Sequence, residues 1–135
     1  MSAISCVLLV DDDETTNYLN QALLRRMAVT DTILVAANGR EALDQLHTHC
    51  GQPDSSTCPA LILLDMKMPL MNGVEFLEAY VKQQLAQNPA VVIIMLTTSL
   101  NPSDVARIEG LPIAGYLNKP LTREKVTALL QEHFA

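Results

Sequence analysis

The sequence predicts one α/β domain over residues 1–135, with helices covering both faces of a parallel sheet. Short runs of consecutive aliphatic residues recur along the chain, at 6–10, 61–64 and 91–96. Such runs are typical of strands that are buried on both faces of a sheet. Segments with the apolar spacing of helices alternate with strand-like segments five times, which favours right-handed crossovers between parallel strands. A chain of this length can bury one hydrophobic core, and no further module is predicted.

The first predicted strand, residues 6–10, ends in four consecutive acids. Acidic side chains are favoured at the N-terminus of a helix, where Asp13 can act as the cap. The same acids are also candidates for a functional site, because ligands of open α/β sheets bind at the carboxyl ends of the strands. The following helix is predicted to bury an apolar stripe of Leu19, Ala22, Leu23 and Met27.

The second strand is predicted at residues 32–36, and Asn38-Gly39 opens a helix that carries Ala42, Leu43 and Leu46. Glycine, proline, serine and threonine then dominate the segment from Cys50 to Pro59, which is predicted to be a loop.

The third strand, residues 61–64, is followed directly by Asp65. A single carboxylate at the end of a central strand is a functional candidate, although it could also cap the turn before Pro69. A helix is predicted from about Val74 to the Asn88-Pro89 pair, which stops it. Its inward residues are predicted to be Leu77, Val81 and Leu85.

The fourth strand, residues 91–96, precedes Thr97, and Asn101-Pro102 is a helix-start pattern. A weaker fifth strand at 113–117 precedes Lys119. The last helix is predicted to bury Val126, Leu129, Leu130 and Phe134.

Composition excludes several classes of function. The net charge is −6, and aromatic residues make up 4% of the chain with no tryptophan. This balance disfavours binding to nucleic acid or to an anionic membrane, which requires a concentrated basic surface. No apolar stretch approaches the roughly 18 residues of a membrane span, and no signal peptide is recognisable. We therefore expect a cytoplasmic protein.

The three cysteines lack the spacing of a zinc site, and we expect them to be reduced thiols. Cys50 and Cys58 flank the polar loop and could approach each other, but disulfides are rare in the cytosol. His47 and His49 point to different faces of a helix and cannot chelate one metal as a pair four residues apart can.

The residues that follow the strands form a chemically coherent set. Asp11, Asp12 and Asp65 supply carboxylates, Thr97 a hydroxyl and Lys119 an ammonium, all at one edge of a parallel sheet. Carboxylate oxygens bind Mg²⁺, while a hydroxyl and an ammonium can contact phosphoryl oxygens. The sequence therefore predicts a site for a divalent cation and a phosphoryl group.

These motifs resemble those of bacterial two-component response-regulator receiver domains, and in particular the stand-alone chemotaxis response regulator. The resemblance extends from Val7 to the last helix. Its motifs are Leu-Val-Asp-Asp at 9–12, Leu-Leu-Asp-Met-Lys-Met-Pro at 63–69 with Gly73, Leu-Thr at 96–97, and Gly-Tyr-Leu-Asn-Lys-Pro at 115–120.

The resemblance implies a flavodoxin-like fold with strand order 2-1-3-4-5 and assigns a role to each site residue. Asp65 would be phosphorylated, with Mg²⁺ as the cofactor. Asp12 would be a direct ligand of the metal, Asp11 would act largely through water, and the backbone carbonyl of Lys67 would be a further ligand. Thr97 and Lys119 would hold the phosphoryl oxygens, Tyr116 would be an aromatic switch, and the Lys119-Pro120 bond would be cis.

By the same resemblance, the protein would assist its own phosphorylation without being an enzyme in the usual sense. Its partners would be a sensor histidine kinase or a histidine phosphotransfer protein, and a downstream protein target. Two outputs remain open, because the phosphorylated protein could bind a target or pass its phosphoryl group on as a phosphorelay intermediate. We expect a monomer or a weak dimer.

A phosphatase of the haloacid-dehalogenase type is a remote alternative. Residues 11–15 also fit its D-x-D-x-T motif, with Asp11 as the nucleophile and Asp13 as the acid/base. That class needs an acidic pair after the lysine, where this chain offers only Glu124 and Glu132, and it leaves Asp65 without a role. A flavin-binding protein of the same topology is disfavoured too, since four acids after the first strand would repel a cofactor phosphate.

Overall fold

The computed structural model describes residues 4–50, 58–83, 91–98 and 102–134. Strands and helices alternate through these residues, as the sequence predicts. The elements are β1 (Val7–Val10), α1 (Glu14–Arg26), β2 (Ile33–Ala36), α2 (Gly39–Cys50), β3 (Leu61–Asp65), α3 (Gly73–Lys82), β4 (Val92–Thr97), α4 (Pro102–Ile108), β5 (Gly115–Asn118) and α5 (Arg123–His133).

All five strands run parallel in one sheet with the order β2-β1-β3-β4-β5. The predicted fold class and strand order are therefore confirmed. The central strand β3 is buried along its whole length, as its uninterrupted aliphatic run indicates. Because the strands are parallel, the residues that follow them lie at one edge of the sheet, which we call the carboxyl edge.

Apolar side chains fill both faces of the sheet. Alternate residues of β1 and β3 point to opposite faces, so that Leu8 and Ile62 pack with α2 and α3, whereas Leu9 and Leu63 pack with α1 and α5. This double burial explains why the strands are aliphatic throughout. It also means that a polar residue can be accommodated only where a strand ends.

The inward face of α1 differs in part from the predicted stripe, because Leu23 and Met27 pack against the core as predicted but Leu19 does not. Leu19 is 59% exposed, whereas Leu24, Asn17 and Asn20 are buried. The helix is rotated so that the Asn17 side-chain amide donates a hydrogen bond to the backbone carbonyl of Asp11. The buried face of α1 therefore combines this polar contact at the carboxyl edge with apolar packing of Leu24.

The inward face of α3 also differs in part. Leu77 is buried as predicted, but Val81 is 47% exposed, and Phe76 and Tyr80 fill the core in its place. Their rings lie 5.9 Å apart between centroids. Leu85 and the predicted helix stop at Asn88-Pro89 lie outside the described residues.

Two of the three cysteines form a disulfide, so the prediction of reduced thiols is wrong for them. The Cys50 and Cys58 Cα atoms are 4.6 Å apart and their sulfur atoms are bonded. The fold causes this proximity, because the end of α2 returns to the start of β3. Cys6 is a free, buried thiol, and burial raises its pKa to about 11. Residues 51–57 of the predicted loop and Asn101 of the predicted helix start lie outside the described residues.

Candidate functional site

Three carboxylates converge at the carboxyl edge of the two central strands. β1 and β3 are neighbours, with Val10 paired to Leu64. Asp11 follows Val10 and Asp65 follows Leu64, so the two acids lie side by side. Asp11 is 4% exposed and Asp65 is 8% exposed, whereas Asp12 is exposed. One oxygen from each of the three carboxylates lies within 4.8 Å of the others.

Lys119, which follows the edge strand β5, brings a positive charge to these acids. Its ammonium nitrogen Nζ lies 2.7 Å from Asp11 Oδ2 and 3.2 Å from Asp65 Oδ1. The Lys119 backbone N–H donates to the carbonyl of Thr97 at 2.7 Å, and the Lys119-Pro120 peptide bond is cis. The ammonium therefore bridges two carboxylates that would otherwise repel each other.

The Asp11 backbone and carboxylate are fixed by three further contacts. Its N–H donates to the Ala36 carbonyl at 3.1 Å, its carbonyl accepts the Asn17 amide at 2.8 Å, and its Oδ1 accepts the Asp13 N–H at 2.9 Å. Sequence reasoning did not single out Asn17. Asn17 lies seven residues before Leu24, on the same face of α1, and that spacing is the signal that could have revealed it.

Burial and the neighbouring charges shift the pKa values of Asp65 and Lys119. Burial and then the neighbouring Asp11 carboxylate raise the pKa of Asp65, although Lys119 and the backbone N–H of Lys67 oppose this. Burial lowers the pKa of Lys119, but the hydrogen bonds and charges of Asp11 and Asp65 together outweigh it, so that this pKa is raised. At Asp65, burial and the Asp11 carboxylate together therefore outweigh the stabilisation of the charged form by Lys119 and Lys67.

A glycine allows α3 to begin close to Asp65. A Cβ atom at Gly73 would lie 2.7 Å from the backbone carbonyl oxygen of Asp65, which is closer than carbon and oxygen tolerate. The Gly73 N–H donates to the carbonyl of Met66 at 3.0 Å, and Asn72 caps the helix with Glu75 in a capping box. The start of α3 is thereby held against the turn that follows Asp65.

Thr97 and Tyr116 occupy different surroundings. Thr97 is 3% exposed at the end of β4 and follows Leu96, the residue paired with Asp65. It therefore lies at the same edge as the carboxylates. Tyr116 is 52% exposed on the edge strand β5, where it lines a groove of about 460 Å³ between β5 and α5.

The acidic cluster suits a hard divalent cation. Three carboxylates offer oxygen ligands, which Mg²⁺ prefers, and exposed Asp12 leaves the cluster open to solvent. The raised pKa of Asp65 agrees with this, because a cation would relieve the repulsion between Asp65 and Asp11. The residues present therefore fit Mg²⁺.

Sequence comparison relates the chain to a known family. The family model of the response regulator receiver domain matches residues 7–131. Response regulator Rcp1 of Synechocystis sp. is 29% identical over 93% of this chain and 83% of its own length. The transcriptional regulatory protein CpxR of Escherichia coli K12 is 35% identical over 93% of this chain, but the match spans only 47% of CpxR.

Structural comparison agrees with the sequence relationship. The crystal structure of a two-component response regulator from Cytophaga hutchinsonii superposes with a TM-score of 0.82 at 29% identity, and the match covers 96% of each chain. Among the described residues, no helix combines the length and the apolarity needed to cross a membrane.

Proposed function

Because the chain belongs to the response regulator receiver domain family, we propose that it is a phosphoacceptor signalling switch in which Asp65 takes a phosphoryl group. The observation that carries this proposal is the position of Asp65. It ends the central strand, remains 8% exposed, and lies 3.2 Å from the ammonium of Lys119. A nucleophilic carboxylate is thus held beside a cation that can contact phosphoryl oxygens.

The proposed donor is a phosphorylated histidine of a sensor kinase or a phosphotransfer protein. An Asp65 carboxylate oxygen attacks phosphorus, a P–O bond forms, and the P–N bond to the histidine breaks. The imidazole keeps the bonding electrons and takes up a proton from solvent, and Asp65 becomes an acyl phosphate. Positioning and charge neutralisation supply most of the catalysis in such a transfer.

Asp11, Asp12, Asp65 and the backbone carbonyl of Lys67 are the proposed ligands of Mg²⁺. When bound there, the cation would neutralise charge on the phosphoryl group and align it for in-line attack. Lys119 and Thr97 would contact phosphoryl oxygens. The ammonium would need only a small movement, since its Nζ atom already bridges Asp11 and Asp65.

The contacts of Asp13 disfavour the phosphatase alternative. In that alternative Asp13 is the acid/base, yet its carboxylate accepts hydrogen bonds from the Thr15 N–H and the Thr16 hydroxyl. Asp13 is thereby the N-cap of α1. The hydrogen bond from Thr16 is the largest cause of its lowered pKa, which suits a cap and not a proton donor at neutral pH.

Labelling with a small phosphodonor tests the proposal. We expect acetyl phosphate with Mg²⁺ to add one phosphoryl group to the wild type, located on Asp65 by mass spectrometry of peptides after borohydride trapping. Asp65→Asn should abolish labelling, whereas the control Asp13→Asn should retain it. Full labelling of Asp65→Asn, or label located on Asp11, would contradict the proposal and favour the phosphatase.

The proposed output is a change in the surface formed by α4, β5 and α5, which would bind a downstream protein. Phosphorylation would draw the buried Thr97 hydroxyl toward Asp65, and the exposed Tyr116 ring would then turn inward. An amphipathic ring tolerates both environments. A phosphorelay output would use the same acyl phosphate but transfer it to a second histidine.

The proposed coupling can be followed without a partner protein. Tyrosine ring resonances of Tyr116 should shift when acetyl phosphate is added to the wild type, as measured by NMR. In Thr97→Ala, Asp65 should still be labelled while the Tyr116 resonances remain unchanged. If Thr97→Ala keeps the full shift, the signal takes another route.

A further inference from the structure

We propose that Lys125, on α5, is a positioning residue that holds Lys119 in the site. Its ammonium donates to the backbone carbonyl of Asn118 at 2.7 Å and to that of Pro120 at 3.0 Å. These two residues flank Lys119 in the chain. One side chain therefore clamps the main chain on both sides of the ammonium-bearing residue.

The position of Lys125 in α5 supports a role in the loop and not in the helix. Thr122 is the N-cap, and its hydroxyl accepts the Lys125 backbone N–H at 3.2 Å, which makes Lys125 the third residue of the helix. A glutamate there would complete a capping box and would interact favourably with the helix dipole. A lysine forgoes both effects, and its ammonium reaches the carbonyls instead.

The clamp acts together with a second contact. The Lys119 N–H donates to Thr97 on β4, while the carbonyls on either side of Lys119 are bound from α5. The main chain of Lys119 is thus attached both to the sheet and to the last helix. We infer that this attachment keeps the Lys119 ammonium 2.7 Å from Asp11 and 3.2 Å from Asp65.

The inference rests on the proposed function, because its consequence is a phosphorylation rate. Misplacing a reacting group by about 1 Å can cost on the order of 100-fold in rate. Loss of the clamp should therefore slow the labelling of Asp65 at saturating acetyl phosphate and Mg²⁺ by about 10-fold or more. The half-saturating acetyl phosphate concentration should change less, since the carboxylates that surround the donor site are intact.

The informative variant is Lys125→Glu, which removes the clamp yet should complete the capping box of α5. A merely structural role predicts a less stable protein, whereas our proposal predicts slower labelling with an unchanged or higher melting temperature. Lys125→Arg should restore most of the rate, because a guanidinium can also donate to two carbonyls. The matched control is Arg123→Glu, which makes the same change of charge at an exposed position two residues earlier.

A second measurement is independent of phosphorylation and of Mg²⁺. Reductive methylation, followed by mass spectrometry of peptides, reports how accessible the Lys119 ammonium is. We expect Lys119 to be modified several-fold faster in Lys125→Glu than in the wild type or in Arg123→Glu, because its ion pairs would open more often.

The outcomes are distinct. Unlabelled wild-type protein would contradict the proposed function itself. The wild type could be labelled while Lys125→Glu matches Arg123→Glu in both labelling rate and Lys119 methylation. That result would overturn only the role of Lys125. Slow labelling accompanied by a lower melting temperature and unchanged Lys119 methylation would also overturn it, since general destabilisation would then explain the rate.

Discussion

The two ends of β3 are stabilised by different kinds of interaction. At its start, the Ala60 N–H donates to the Cys6 carbonyl, the Ala60 carbonyl accepts the Val92 N–H, and the Cys50–Cys58 disulfide joins the preceding residues to α2. At its end, Asp65 shares one ammonium with Asp11. The first end is neutral and covalently linked, whereas the second concentrates negative charge.

This difference shows how one strand can serve stability and reactivity together. The hydrogen bonds and the disulfide at the start of β3 favour the folded state. Those at the end partly oppose folding, because burial and a neighbouring carboxylate raise the pKa of Asp65. Burying the proposed phosphoacceptor therefore costs stability at one end of β3, while the disulfide and backbone hydrogen bonds contribute stability at the other.

Reducing the disulfide should produce the largest change in stability. The bond spans eight positions in the sequence, and the loop-entropy relation gives about 2.5 kcal/mol for a loop of about nine residues. We expect urea unfolding with dithiothreitol to show a loss of this size and labelling of Asp65 to persist. The stability of Cys50→Ser/Cys58→Ser should not depend on the reductant. If dithiothreitol leaves the stability of the wild type unchanged as well, the disulfide does not stabilise the protein.

Removing the ammonium at the other end should have the next largest effect. Lys119→Met removes the 2.7 Å hydrogen bond to buried Asp11, and a hydrogen bond to a charged group contributes about 2 kcal/mol. We expect a loss of this order in the free energy of unfolding at pH 7 without Mg²⁺. Lys67→Met is the same substitution at an exposed lysine near Asp65. It should change the free energy of unfolding by no more than about 0.5 kcal/mol. Equal losses of stability in Lys119→Met and Lys67→Met would contradict a specific role of the Lys119 ammonium at this end of β3.

Magnesium should stabilise the charged end alone. A ligand that binds only the folded state at ten times its dissociation constant adds about 1.4 kcal/mol, so the melting temperature should rise through a millimolar Mg²⁺ titration. Asp12→Ala should lose most of this response, whereas Cys50→Ser/Cys58→Ser should retain it. A wild-type melting temperature that is independent of Mg²⁺ would contradict the proposed metal site.

The smallest expected effect is a dependence on pH. A carboxyl whose pKa is raised above 3.8 in the folded state binds its proton more tightly when folded, so its contribution to stability is present at low pH and is lost as pH rises through the folded pKa. In EDTA, Asp65→Asn should therefore gain stability relative to the wild type as pH rises above about 4. Urea unfolding across this range measures the difference in the free energy of unfolding between the two proteins. If the advantage of Asp65→Asn shrinks as pH rises, the expected direction is wrong.

The elements of the fold could be predicted because each has a local signal. Apolar segments predicted all five strands to within two residues at each end, although the fifth has the weakest signal. The cap role of Asp13 and the helix that begins at Pro102 follow from the chemistry of helix termini. The site could be predicted for a related reason. In a parallel sheet, chain direction alone brings the residues after each strand to one edge.

Side-chain orientation required the tertiary structure. In α1, Leu19 is exposed and Asn17 is buried against the carbonyl of Asp11, in the turn between β1 and α1, and the apolar spacing of the sequence did not reveal this. The placement of Phe76 and Tyr80 in the core, in preference to Val81, depends on how α3 lies on the sheet.

The sequence by itself determined the fold class, the strand order implied by family resemblance, and which residues follow the strands at the carboxyl edge. Only the tertiary structure decided that Cys50 and Cys58 are bonded, that Lys119 bridges Asp11 and Asp65, and that Lys125 reaches the carbonyls on both sides of Lys119. Periodicity and chain direction are local properties that the sequence expresses directly. Distances between residues far apart in the chain, 108 positions for Lys119 and Asp11, depend on the packing of all the elements between them.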